Sequence, residues 1–118
     1  MANTRTNEDV VQSTGNVFVD LGLKDAAETQ TKVRLAVIIN EILRARRLSQ
    51  VPAARLLRIN QPKISALANY KLEGFSVERP MHFLNVLDRD VEITIRKKPR
   101  SRRAARVLVR QAGLSALV

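Results

Sequence analysis

Gln50, Asn60, Gln61 and Lys63 are the side chains in this sequence best suited to recognising another molecule. A glutamine amide carries one acceptor and two donor hydrogens, so it can bond adenine N6 and N7 together. A lysine ammonium can reach guanine O6/N7 or a phosphate, and Pro62 and Ala66 offer apolar contact to a thymine methyl. Gln50 and Asn60 stand where helices are expected to begin, a position whose free backbone N–H groups favour phosphate oxygens. Arg55 and Lys71 are candidate phosphate contacts. These eight residues form one constellation only if rigid elements hold them on one side of the molecule.

The segment LSQVPAARLLRINQPKISAL, residues 48–67, supplies such elements. A helix from Gln50 to Leu57 is expected to pack through Ala53, Ala54, Leu56 and Leu57. Arg58-Ile59-Asn60 make a turn, and a second helix from Gln61 buries Ile64 and Leu67 while Gln61, Lys63, Ser65 and Ala66 point outward. Ala54 is small enough to let the two helices cross closely. The predicted product is a helix-turn-helix corner whose second helix can enter a DNA major groove.

The flanks predict a small helical domain. Residues 1–15 are polar and aperiodic and read as a disordered N-terminal arm. The apolar patch of NVFVDLGL is followed by Asp25 and Glu28 at capping-box spacing, so a long helix is expected from there to about Arg47, with Leu35, Ile38, Ile39, Ile42 and Leu43 as its buried stripe. Ser49 and Asn60 are the expected N-caps of the next two helices. Asn69 to Phe75 reads as a loop, and Ser76 as the cap of a fourth helix through about Leu87 that buries Met81, Phe83 or Leu84, and Leu87. Pro80 sits awkwardly near that helix's fourth position, which favours a later start. In VEITIR, Val91, Ile93 and Ile95 alternate with polar residues, the pattern of a half-buried strand. A lone strand needs a partner, and the expected one is the same strand of a second subunit. Ala105 to Arg110 fits a strand or a short helix equally well.

Composition narrows the function. The 118 residues suffice for one domain plus tails. With no cysteine, disulfides and thiolate metal sites are excluded. The polar start and short apolar runs predict a cytoplasmic protein without membrane spans. The net charge is +10, and residues 97–118 hold seven Lys/Arg and no acid, so this basic C-terminal tail favours a polyanion. Lys97, Lys98, Arg100, Arg102 and Arg103 either follow DNA phosphates or form a solvated extension. The single histidine, His82, lies within an expected helix, and the four glycines form no phosphate-binding loop. No catalytic residue, metal site or cofactor is expected.

Residues 16–96 resemble the Xre-type helix-turn-helix family and, within it, the short HigA-like antitoxins, through NVFVDLG, LSQVPAARLLRINQPKISAL and NYKLEGFSVERPMHFLNVLDRDVEI. The central piece is also similar to phage repressors. The resemblance implies an all-α, lambda-repressor-like bundle of four to five helices with a C-terminal β-strand pairing across a homodimer through Val91, Ile93 and Ile95. It also implies a repressor that binds a palindromic operator in its own operon and neutralises a RelE/HigB-like toxin, with Gln50, Gln61, Lys63 and Ser65 falling where the family touches DNA. Val17, Phe18 and Leu21 are candidate toxin contacts; folding back on the domain's own core is the plainer reading of that patch. A phage-like repressor without a toxin and a purely protein-binding adaptor are the competing functions. One departure stands out: Arg58 occupies the turn position that the family usually fills with a left-handed Gly.

Overall fold

The computed structural model describes residues 16–112, and their side chains from residue 25 onward. The chain divides into two units, Met1–Gln30 and Thr31–Val118. Four helices follow one another: α1 (Asn16–Ala45), α2 (Gln50–Leu57), α3 (Gln61–Ala68) and α4 (Glu78–Val86). The opening of α1, residues 16–30, belongs to the first unit, and Asp25 to Gln30 are all exposed. Asp25 is therefore not the cap expected of it. The helix starts at Asn16, because no proline interrupts residues 16–24 and the one glycine, Gly22, costs a helix only about 1 kcal/mol. The arm at 1–15 and the side chains of Val17, Phe18 and Leu21 lie outside the described residues.

The second unit is built round one apolar core. Leu35, Ala36, Ile39, Ile42 and Leu43 of α1 meet Ala53, Ala54 and Leu57 of α2, Ile64 and Leu67 of α3, and Phe83 and Leu84 of α4, with Leu72, Phe75 and Leu87 added from the connections. The expected stripes are thus largely the buried ones. Leu56 is the exception on α2: it is exposed, lying about a quarter turn off the centre of the Ala53–Ala54–Leu57 face. Met81 is only half-buried, packed at the edge of the core.

Each helix ends the same way. The N–H groups of Arg47 and Leu48 bond the carbonyls of Arg44 and Leu43; those of Arg58 and Ile59 bond Arg55 and Ala54. Tyr70 and Lys71 bond Leu67 and Ala66, and Asp88 and Arg89 bond Asn85 and Leu84. This paired pattern is the Schellman motif, which needs one left-handed residue per helix end. Glycine is the usual occupant, yet here Arg47, Arg58, Tyr70 and Asp88 take φ values of 57°, 59°, 59° and 66°.

Side chains then tie the helices together. Asn40 of α1 donates from Nδ2 to the carbonyl of Leu67 at the end of α3, at 3.1 Å. Arg46 donates from Nη2 to the carbonyl of Leu87 at 3.1 Å and lies 3.7 Å from the Asp88 carboxylate. Cations on free carbonyls at helix C-termini are favourable for the helix dipole. The fourth helix starts at Glu78, one residue beyond the start that a Ser76 cap implies. The shift places the buried Pro80 in the first turn, where no N–H is needed.

The expected strand is absent among the described residues. Residues 91–96 take no regular structure; Ile93 and Ile95 are 74% and 92% exposed, and only Val91 leans on the core. The alternation in the sequence is real, but one chain offers no neighbouring strand to satisfy its ladder of N–H and C=O groups. Ala105 to Arg110 is neither strand nor helix. Val109 packs against the core beside Val37 and Ile38 of α1, while Val107 and Leu108 stay exposed. Among the described residues no helix is long and apolar enough to cross a membrane.

Candidate nucleic-acid interface

The α2–α3 corner holds its two first turns side by side. The Schellman end of α2 reverses the chain at Arg58 and seats Ile59 against the core, so only three residues separate α2 from α3. Asn60 then caps α3: its Oδ1 accepts from the backbone N–H of Lys63 at 2.9 Å. Pro62, in that same first turn, has no N–H to satisfy. Ser49 occupies the corresponding place before α2, but its hydroxyl makes no capping bond. The N–H groups of Gln50 and Val51 therefore find no acceptor in the Ser49 hydroxyl.

Gln50 and Gln61, eleven residues apart in sequence, are brought into direct contact by this geometry. Gln61 donates from Nε2 to Gln50 Oε1 at 2.7 Å, and both residues are exposed. The bond fixes the Gln61 amide yet leaves its Oε1 and one N–H free, the acceptor and donor that an adenine edge requires. Gln50 keeps both of its own N–H donors for a neighbouring oxygen. Arg55, Asn60, Pro62 and Lys71 are also exposed, whereas Ser65 and Ala66 are half-buried rather than fully outward. The Ser65 carbonyl accepts from the Asn69 side chain at 2.9 Å.

Lys63 differs from the others. Its ammonium reaches the α3–α4 loop, where Nζ donates to the carbonyl of Gly74 at 3.0 Å. It also lies 4.9 Å from the centre of the Phe75 ring. Phe75 meets Phe83 edge-on, with centroids 6.0 Å apart, and the Arg79 guanidinium covers both rings at 5.9 and 5.4 Å. Such stacks of cation and ring contribute roughly 0.5–1 kcal/mol each at exposed sites. Sequence reasoning missed Gly74, Phe75 and Arg79, because a loop and a helix start carry no periodic signal linking them to α3.

The remaining chemistry is sparse. His82 is exposed on α4 rather than packed into it. Among the described residues no group of His, Cys, Asp and Glu is placed to hold a metal ion. In the tail, Lys98 donates to the carbonyls of Pro99 and Arg102, at 3.3 and 2.7 Å, and pins a turn there. The guanidinium groups of Arg100, Arg103, Arg106 and Arg110 belong to exposed residues.

A family model described as a helix-turn-helix domain matches residues 17–96. Among solved structures, the chain is similar to one named "Putative XRE Family Transcriptional Regulator", with 66% sequence identity and a TM-score of 0.72. The match covers 75% of this chain and 99% of that one. No curated protein matches the sequence.

Proposed function

The chain belongs to the helix-turn-helix domain family, of the Xre type, and from that premise we propose that it is a sequence-specific DNA-binding transcriptional regulator. Membership of this family points away from catalysis. One observation carries the reading: an exposed, hydrogen-bonded Gln50–Gln61 pair at the adjoining first turns of α2 and α3. In the proposed mode the first turn of α3 enters the major groove and the held Gln61 amide reads adenine. Gln50 and the uncapped amides of α2 meet a phosphate, and Arg55, Asn60 and Lys71 add backbone contacts. Pro62 and Ala66 border the bases, and Ser65 lies beside them. Such phosphate contacts hold register while the base contacts specify sequence.

The finer proposal is a repressor of its own operon that also serves as the antitoxin of a toxin–antitoxin pair, neutralising a RelE/HigB-like ribonuclease through the N-terminal patch of Val17, Phe18 and Leu21. A homodimer joined through Val91, Ile93 and Ile95 would read a palindromic operator with recognition helices about 34 Å apart. The exposure of Ile93 and Ile95 supports a second copy as the missing strand partner. Ile93→Pro should then yield monomers in sedimentation; an unchanged dimer would exclude that segment.

The decisive experiment has two arms. Double-stranded fragments selected from random sequence by the full chain should include one bound tightly, and Gln61→Ala should weaken it by about 1–3 kcal/mol with relaxed preference at one base pair. Retention of no fragment would defeat the DNA reading. Expression of the adjacent open reading frame alone should be toxic, and co-expression with this chain should relieve that toxicity through a stable complex. A harmless neighbour would leave a repressor without a toxin.

A further inference from the structure

We infer that Lys63 is a positioning residue, which latches α3 to the α3–α4 loop and so sets the pose in which Gln61 meets DNA. The inference rests on the DNA-binding reading for its consequence but on free-standing geometry for the latch. The third residue of a recognition helix is an obvious place for a cation that touches a base or a phosphate. Here the ammonium is already engaged, with one donor on the Gly74 carbonyl at 3.0 Å and its charge over the Phe75 ring at 4.9 Å. Swinging out to the groove would forfeit both contacts.

A Cβ at Gly74 would lie 2.8 Å from Lys63 Nζ, so an alanine there would make the flexible end of the lysine move. The φ of Gly74 lies outside the left-handed region, so no backbone strain adds to that displacement. The latch completes a set of three ties on α3. Asn60 holds its first turn, Asn40 holds the Leu67 carbonyl near its end, and Lys63 fixes its flank two residues from Gln61. A charge-assisted bond of this kind is stronger than a neutral one, which suits it to hold a short helix at a set angle.

The test uses the full chain, three variants and one duplex selected from random sequence by the unaltered protein, at a temperature where circular dichroism finds every variant folded. Lys63→Met keeps the apolar stem and removes the donor, whereas Gly74→Ala leaves Lys63 intact and displaces its ammonium. Each should speed amide exchange of Phe75 and weaken duplex binding, both by about fivefold. The double variant should lose no more than either single one, because both remove the same contact. Base preferences should be unchanged at every position, as should the dependence of binding on salt. A salt slope shallower by about 0.9 in Lys63→Met would make Lys63 a phosphate contact and overturn the inference. Relaxed preference at one base pair, additive losses in the double variant, or unaltered exchange at Phe75 would overturn it too. If no duplex is selected, the DNA reading fails, and the exchange and additivity of stability still decide whether the latch exists.

Discussion

The α2–α3 corner and the segment from Val91 to Arg110 carry the same kind of sequence signal, apolar residues at regular spacing, and meet different environments. In the corner, Ala53, Ala54, Leu57, Ile64 and Leu67 all find neighbours within the chain and are buried. In the C-terminal segment, Ile93, Ile95, Val107 and Leu108 find none and remain exposed, although Val91 and Val109 reach the core. A hydrophobic pattern states which face needs covering. It does not state whether the cover comes from the same molecule.

Substitutions to alanine should expose that contrast most strongly. Leu67→Ala removes a fully buried side chain of α3 from the core, and should cost about 2–5 kcal/mol in urea unfolding. Ile95→Ala, at a side chain 92% exposed, should stay within about 0.5 kcal/mol in dilute protein. The comparison breaks if Ile95→Ala destabilises the protein increasingly as concentration rises. That result would place a second copy over the segment, since only association makes stability depend on protein concentration.

The corner was legible in the sequence because each of its signals is local. Asn60 sits one residue before the helix it caps, Pro62 fits a first turn, and the Ile64–Leu67 spacing lies within one helical turn. The α1 stripe was legible for the same reason. Its start was not, since Asp25 and Glu28 imitate a capping box inside a helix that already runs from Asn16. The helix ends lacked their usual mark, because Arg47, Arg58, Tyr70 and Asp88 hold the left-handed positions where glycine would have announced a stop. Within the candidate site, Gln50 and Gln61 could each be chosen from helix position alone. Their mutual bond, and the capture of Lys63 by Gly74 and Phe75, depend on how the turn and the α3–α4 loop are folded.

The two caps of the corner offer a smaller and sharper contrast. Asn60→Ala removes a bond to the Lys63 amide and should cost about 1 kcal/mol in the folding free energy. Ser49→Ala removes a hydroxyl that bonds nothing in its helix, so thermal unfolding should hardly change. A loss at Ser49 as large as that at Asn60 would mean that the serine caps α2 in solution. The amides of α2 would then be less available to a phosphate than the static geometry implies.

The smallest expected effects concern the left-handed residues, and they distinguish the corner from the C-terminal end of the domain once more. An L-residue at such a φ costs on the order of 1 kcal/mol relative to glycine, but a short polar side chain that bonds locally relieves part of that strain. Arg58 has no such compensation from its own side-chain type, whereas Asp88 does, and Asp88 also faces Arg46 at 3.7 Å. Arg58→Gly should therefore raise stability by up to about 1 kcal/mol, and Asp88→Gly should gain less or lose slightly, as read from paired denaturation curves. The Arg58 variant should keep the affinity of the unaltered chain for its selected duplex, because the Schellman bonds that aim α3 are made by the backbone. If affinity falls while stability rises, the arginine side chain itself contacts DNA at the turn, and the strain at this position is retained for binding rather than for folding.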